Sequence, residues 1–197
     1  MKYTYIIILA LSVFCVSCKT ELGDATGITN GKVIFSTGNS TEIKDFDNPN
    51  ALTFFVVRHA EKVDESEDPP LSEVGIKRAN QLAKILKDVP ITLALSTNYL
   101  RTTQTANPIV TRMVKSDIKC DIGIYNPNDL DFRFGDLLQK RKGEKILVIG
   151  HSNTVPDLLN YFTGKEVYND IPPNEYGNFY VVTYRGKGDA DVMELKY

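Results

Sequence analysis

Histidine, cysteine and excess charge are all scarce in this sequence. The 197 residues include two histidines and three cysteines, and the formal net charge at pH 7 is −2. A protein that binds nucleic acid normally carries a basic stripe, so the near-neutral balance argues against that class. The net charge is still compatible with binding of a small anionic ligand, because a pocket can be locally positive on an acidic protein. Two histidines leave few ways to build a metal site, and we expect neither a metal nor another cofactor.

The N-terminus has the pattern of an export signal. Lys2 precedes an apolar run over residues 5–17, and Cys18 follows Ser17. A positive start, an apolar stretch and a small residue before the break are typical of a secretory signal. The run is shorter than the about 20 residues that span a bilayer. Ser17-Cys18 is similar to the end of a bacterial lipobox and predicts lipidation at Cys18, although Cys15 stands where leucine is usual. An uncleaved signal anchor is the alternative.

This pattern divides the chain into three parts. Residues 1–18 are the signal and lipobox, 19–50 a polar tether with Lys32–Phe35 as a short edge strand, and 51–197 the folded domain. The domain is then expected outside the cytoplasm, in the periplasm or on the outer membrane or cell surface, with the membrane as a partner through the lipid anchor. Cys120 is the one cysteine left in the domain, which excludes an internal disulfide and favours a buried apolar filler.

Buried strands alternate with amphipathic helices after residue 50. Continuous apolar runs predict strands at 52–57, 91–95 and 145–149. Helical spacing predicts helices at 72–87, 99–115 with an interruption at Pro108, 129–142 and 153–162. A short strand at 118–125 and an antiparallel pair at 179–184 and 191–195 complete the pattern. The alternation predicts an α/β fold with a mostly parallel sheet covered on both faces.

Basic and imidazole side chains follow three of these strands directly. Arg58 and His59 come after the first, Arg101 after the second and His151 after the third. Ligands bind beyond the carboxyl ends of such strands, so these side chains are expected in one site. Arginine presents a planar fork of donors that matches phosphate oxygens. A neutral imidazole can attack phosphorus and give a phosphohistidine. The pattern therefore predicts phosphoryl chemistry without a metal.

These segments resemble the histidine phosphatase superfamily, which includes the phosphoglycerate mutases. Arg58-His59, residues 71–75, residues 96–106 and Gly150-His151 carry the resemblance, which covers 53–162 in the expected order. It implies a three-layer α/β/α sandwich, His59 as the nucleophile, and a phosphate pocket of Arg58, Arg101 and His151. Ser152 and Asn153 are the further candidates for substrate binding. The implied enzyme is a hydrolase of phosphoric monoesters, similar in chemistry to histidine acid phosphatases.

The proton donor is left open by the sequence. Ala60 replaces the usual glycine, and Ser152 stands where the acid-phosphatase branch has its aspartate, which argues against that branch. Asp129 is the first candidate for the donor, with Asp131 and Glu61 as the others. A helix N-cap is the alternative role for Asp129.

Three functions are compatible with the sequence. The first is a metal-independent phosphatase acting on a small phosphomonoester, a phosphoramidate or a phosphoprotein. The second is a non-catalytic lipoprotein that binds a phosphorylated ligand. A phosphotransferase of the phosphoglycerate mutase type is the third, and the compact domain argues against it because mutases enclose their intermediate with long insertions.

Overall fold

The computed structural model describes residues 22–197. The predicted signal segment, Cys18 and its lipidation lie outside the described residues. Within that range, no helix is both long and apolar enough to cross a membrane. The elements in chain order are β1 (Ala25–Thr29), β2 (Lys32–Phe35), β3 (Ser40–Glu42), β4 (Leu52–Arg58), α1 (Glu73–Ile85), β5 (Ile91–Ser96), α2 (Leu100–Lys115), β6 (Asp121–Ile124), α3 (Leu130–Phe134), α4 (Leu137–Lys140), β7 (Lys145–Gly150), α5 (Thr154–Thr163), β8 (Asn178–Gly186) and β9 (Asp189–Lys196).

A six-stranded sheet lies at the centre of the fold, in the order β6-β5-β7-β4-β8-β9. β6, β5, β7 and β4 run parallel, whereas β8 is antiparallel to β4 and to β9. The α/β fold and the antiparallel pair are therefore as predicted, and the sheet as a whole is mixed. Parallel strands need crossovers on the faces of the sheet, and the helices provide them.

Helices cover both faces of this sheet because side chains alternate along each strand. Phe55 and Val57 of β4 face a cluster with α1 and α2, in which Ile109 is fully buried. Phe54 and Val56 face the opposite cluster with α3, α4 and α5, which includes Phe162. The rings of Phe54 and Phe162 stack at 4.5 Å between centroids. Three layers result, as the resemblance implies.

The segment before residue 50 is packed, where the sequence analysis assigns a tether. β1, β2 and β3 form a three-stranded antiparallel sheet, in which Lys32–Phe35 is the middle strand and not an edge. Its side chains at Ile28, Val33 and Phe35 are buried in the same cluster as α1. The β1–β2 loop is Asn30-Gly31, with φ angles of 49° and 71°. An Asn-Gly pair with two positive φ angles is the preferred two-residue hairpin turn, a signal that the sequence contains.

Two helices differ from their predictions. α2 continues through Pro108 without a break. Pro108 is half-buried, so solvent can reach the turn that loses its hydrogen bond. The single helix predicted over 129–142 is instead α3 and α4, because Asp136 leaves the helical region with φ −110° and ψ 3°. Gly135 and Asp136 both have low helix propensity, which explains the break at that point.

Candidate active site

A cavity of about 1020 Å³ opens at the carboxyl ends of β4, β5 and β7. Six side chains that the sequence analysis singles out line it together: Arg58, His59, Arg101, His151, Ser152 and Asn153. Each of the three strands delivers its residue at the point where it ends, because parallel strands finish at one edge of the sheet. The predicted convergence of two arginines and two histidines is therefore present in the fold.

His59 is held in one orientation by its own backbone neighbourhood. Its backbone N–H donates to Gly150 O at 2.9 Å, which extends the β4–β7 ladder by one residue. Its Nδ1 lies 2.8 Å from the carbonyl oxygen of Ala60. A carbonyl only accepts, so this contact places the proton on Nδ1 and leaves the lone pair on Nε2. His59 as a whole is 4% exposed.

Burial keeps the His59 imidazole neutral. Desolvation lowers the pKa of His59 to about 3, with smaller contributions from His151, Arg58 and Arg101, against the hydrogen bond to Ala60. Burial disfavours the charged form of a base. At neutral pH the Nε2 lone pair is therefore free to attack an electrophile.

His151 lies beside His59, with ring centroids 5.2 Å apart and planes at 67°. Its Nε2 is 2.7 Å from Thr97 Oγ1, and its backbone N–H donates to Thr154 Oγ1 at 2.8 Å. Desolvation lowers the pKa of His151 to about 4, and the charges of Arg101 and Arg58 add to the effect. Both imidazoles are thus neutral in the absence of an anion.

Arg58 is clamped by a loop from the other end of the chain. Its Nη1 donates to the carbonyls of Pro172 and Glu175, and its Nη2 donates to Pro173. The guanidinium lies 4.3 Å from the ring centroid of Tyr176. These contacts fix the plane of the group, and its Nε stays buried with no hydrogen-bond acceptor among the described residues. Burial also lowers the pKa of Arg58.

Arg101 is placed by the first turn of α2. Its guanidinium stacks on Tyr99 at 4.2 Å from the ring centroid. Nη1 is buried and finds no hydrogen-bond acceptor within the described part of the chain; Asp68 Oδ1 is 3.8 Å away. That oxygen instead accepts from the backbone N–H of Leu100 at 2.7 Å and so caps α2. Each arginine at this cavity therefore has one buried donor without an acceptor among residues 22–197, which suits a bound anion.

The three carboxylates considered as proton donors lie outside the lining of the cavity. Asp129 accepts from Phe132 N at 3.2 Å and caps α3, which is the alternative role given above. Asp131 pairs with Lys187 at 3.1 Å. Glu61 forms a bidentate pair with Arg78, with a shortest contact of 2.6 Å.

Some of the site is missing from the sequence analysis. Thr97 and Tyr99, which contact His151, lie directly after β5, within the segment 96–106 that carries the family resemblance. Tyr176 and the carbonyls of 172–175 contact Arg58, from which they are separated by 114 or more positions along the chain. They belong to a stretch without regular structure, so no local pattern indicates them.

Ser152 and Asn153 have weaker anchoring than their neighbours. Both line the cavity, and Asn153 precedes α5 without making a side-chain cap. Their side chains are therefore available to a ligand. Among residues 22–197, no group of three or more histidine, cysteine, aspartate or glutamate side chains could hold a metal ion.

Comparison with protein families identifies one match. The model of the histidine phosphatase superfamily (branch 1) matches residues 54–122. This range contains Arg58, His59 and Arg101, and His151 lies beyond it. A search of curated proteins finds no significant match.

Solved structures of similar fold cover about three quarters of this chain. A phosphoglycerate mutase from Bacillus anthracis str. Sterne is 16% identical, with a TM-score of 0.56 over 77% of this chain and 95% of that chain. A protein proposed to be the phosphohistidine phosphatase SixA of Nakamurella multipartitia is 17% identical. Its TM-score is 0.55, over 75% of this chain and 96% of that chain. A mycobacterial glucosyl-3-phosphoglycerate phosphatase is 11% identical. Its TM-score is 0.54, over 74% of this chain and 99% of that chain. At these identities the likeness shows the fold alone, which is phosphoglycerate mutase-like. Support for the histidine phosphatase superfamily comes from the family model that matches residues 54–122.

Proposed function

We propose that this chain is a metal-independent phosphatase that hydrolyses a phosphomonoester or a phosphoramidate through a phosphohistidine at His59. One observation carries the proposal. The neutral His59, with its proton held on Nδ1 by Ala60 O, shares a cavity with two arginines. Each arginine has a buried donor without an acceptor in the part of the chain that the structure describes. A nucleophile and an anion cradle are both needed for phosphoryl transfer, and here they occupy one site.

In the first step, His59 Nε2 attacks the phosphorus atom and a P–N bond forms. The bond from phosphorus to the leaving oxygen or nitrogen breaks, and the leaving group takes the electron pair and then a proton from water. The imidazole becomes positively charged, and the Nδ1–H donated to Ala60 O stabilises that charge. Arg58 and Arg101 bind the equatorial oxygens, where the negative charge of the transition state is spread.

In the second step, water attacks the phosphorus atom and the P–N bond breaks. The electron pair returns to Nε2, the phosphate leaves, and His59 is neutral again. His151 lies next to the same phosphoryl position, since its ring is 5.2 Å from that of His59. Its hydrogen bond with Thr97 fixes the ring while the substrate changes. No residue has to move far, because both histidines follow rigid strands.

Hydrolysis of an aryl phosphate by the purified protein tests the proposal. We expect phosphate release that is unchanged by a chelator and falls by at least about 10³-fold in His59→Ala. Val167→Ser, at an exposed position outside the cavity, is the control for handling and purity. Activity that survives His59→Ala, or that a chelator abolishes, would contradict the proposal.

A non-catalytic role as a binder of phosphorylated ligands is the second candidate. The observation that favours it is the position of Asp129, Asp131 and Glu61, which are all engaged elsewhere. Isothermal titration with inorganic phosphate, combined with turnover assays on several phosphoesters, separates the two. Binding without turnover of any of them favours the binder.

The sequence also supports a proposal on location, independent of the site. We propose that the domain works outside the cytoplasm, anchored by a lipid on Cys18, on the basis of Lys2 and the apolar run before Ser17. Metabolic labelling with a fatty acid analogue in a bacterial host should mark the wild-type chain and not Cys18→Ser. Equal labelling of both, or of neither, would contradict the lipid anchor.

A further inference from the structure

Two apolar side chains stand exposed at the rim of the cavity. Phe132, in α3, is 84% exposed, and Ile124, at the end of β6, is 49% exposed. Both line the same cavity as His59 and His151. Single exposed apolar side chains are common on protein surfaces, so the place of this pair beside the cavity matters more than its exposure. The position of the pair at the mouth of the active site indicates contact with the part of the substrate that lies beyond the phosphate.

Aromatic rings also flank the reacting atoms. The Tyr99 ring stands perpendicular to His151 at 5.3 Å, and the Tyr176 ring is 6.3 Å from His59. Each of these rings carries an arginine on one face. Tyr99 and Tyr176 therefore present aromatic surface beside the phosphate position, within a lining that is otherwise mixed polar and apolar, and such surface suits a planar group.

A poor leaving group needs a proton from a general acid as it departs, and the cavity has few candidates for that role. Among the described residues, Glu65 is the one carboxylate that lines the cavity. Its side chain is 88% exposed, and it accepts a hydrogen bond from Lys62 Nζ. The Lys62 ammonium therefore already engages this carboxylate as a hydrogen-bond acceptor. Positioned general acids contribute about 10² to 10⁴-fold, and a site without one is restricted to leaving groups that depart as stable anions.

We propose that the substrates of this site are aryl phosphate monoesters, the class that includes phosphotyrosine. This inference rests on the proposed phosphatase function. The apolar rim contacts the ring of the leaving group, and His59 Nε2 forms the P–N bond as the P–O bond breaks. The phenolate takes the electron pair and afterwards a proton from water. A phenol has a pKa of about 10, far below the pKa of water, which an aliphatic alcohol resembles, so a phenolate departs much more readily than an alkoxide.

Three small esters separate the two parts of the argument. Phenyl phosphate has the ring and a good leaving group, benzyl phosphate the ring and a poor one, and ethyl phosphate neither. We expect kcat/KM for phenyl phosphate to exceed that for benzyl phosphate by at least about 10²-fold, because no general acid assists the alcohol. Benzyl phosphate should in turn exceed ethyl phosphate by about threefold to tenfold, through contact with the apolar rim.

Substitutions at the rim test the contact itself. Phe132→Ser and Ile124→Ser should each lower kcat/KM for phenyl phosphate by about threefold to tenfold and leave that for ethyl phosphate unchanged. Ile122→Ser is the matched control, since Ile122 is 69% exposed on the same strand as Ile124 and does not line the cavity. Because all three side chains are exposed, none of these variants removes a buried core contact.

A phosphotyrosine peptide identifies the source of the aryl phosphate. Turnover of the peptide at or above the rate for phenyl phosphate supports a protein substrate, and slower turnover supports a small aryl ester.

Several results would overturn the inference while the phosphatase proposal stands. These are equal kcat/KM for phenyl and ethyl phosphate, a phosphohistidine peptide that is turned over more than tenfold faster than phenyl phosphate, or a Glu65→Gln variant that loses 10²-fold on ethyl phosphate alone. The last would identify Glu65 as a general acid. Failure of the phosphatase proposal itself is distinct, because no ester would then be hydrolysed in a His59-dependent way.

Discussion

The imidazole of His59 lies 5.2 Å from that of His151, between ring centroids, at the end of two neighbouring parallel strands. These are the two histidines of the chain. Their environment is buried and contains two guanidinium groups, so a proton on either ring is costly. The neutral state that nucleophilic attack requires thus follows from where the strands end.

This arrangement predicts the titration of both histidines. In the folded protein without phosphate, the pKa of His59 should be about 3 and that of His151 about 4, against 6.5 for an exposed imidazole. Two-dimensional NMR of the imidazole C–H signals measures both values directly, since no other histidine contributes. A titration near pH 6.5 for either ring in the native state would contradict the account of the site.

The same shifts predict how stability depends on pH. Between about pH 4 and 6.5 the unfolded chain binds protons on its histidines and the folded chain does not, so stability is lost as the pH falls below 6.5. The slope from His59 alone is at most about 1.4 kcal/mol per pH unit. Urea unfolding at several pH values should show this slope, and a His59→Gln/His151→Gln double variant should flatten it. An unchanged slope in the double variant would assign the effect to other groups.

Gly75 makes a backbone contact that supports the site. A Cβ at this position would lie 2.1 Å from the carbonyl oxygen of Glu61, two residues after His59. Alanine normally stabilises a helix relative to glycine, but Gly75→Ala should displace the segment that carries His59. We expect kcat/KM to fall by about 10²-fold, as misplaced catalytic groups do. Gly27→Ala, where an added Cβ meets nothing within 4 Å, is the control and should leave activity unchanged.

Asp129 provides a test between a cap and a catalytic acid. As the N-cap of α3, it should be replaceable by asparagine, which caps equally well, whereas Asp129→Ala should cost about 1 kcal/mol. With benzyl phosphate, whose alcohol is a poor leaving group, we expect Asp129→Asn to keep the wild-type kcat/KM. If Asp129 were a general acid, kcat/KM would instead fall by about 10² to 10⁴-fold in both variants. Thermal unfolding and steady-state kinetics on the same preparations distinguish the two roles.

The sequence predicts the strands and the parts of the site that they deliver. Arg58 and His59 follow an apolar run, and that run alone indicates a buried strand with its chemistry at the carboxyl end. Arg101 and His151 are placed by the same rule. Local pattern suffices here because the sheet fixes the distance between the strand ends.

Other parts depend on contacts between distant segments, which no local pattern contains. The carbonyls of 172–175 that bind Arg58, and Tyr176 beneath it, come from an irregular stretch. The packing of residues 25–43 on α1 is a second case of a contact between distant segments. The sequence of this segment is polar and turn-rich, which is typical of a tether, and its few apolar side chains become informative only once their partners in α1 are known. The sequence does not identify a proton donor, for a third reason. Carboxylates are common near any site, and the partners that engage Asp131 and Glu61 are tertiary.

Chemical trapping of the phosphohistidine tests His59 as the nucleophile without reference to substrate choice. The protein is mixed with ³²P-labelled phenyl phosphate, quenched within milliseconds in alkali and digested for mass spectrometry. The account predicts one phosphorylated peptide, stable to alkali, labile to acid and modified at His59 on Nε2, with no label in His59→Ala. Turnover with no such adduct under any quench time, or label on His151 alone, would contradict it.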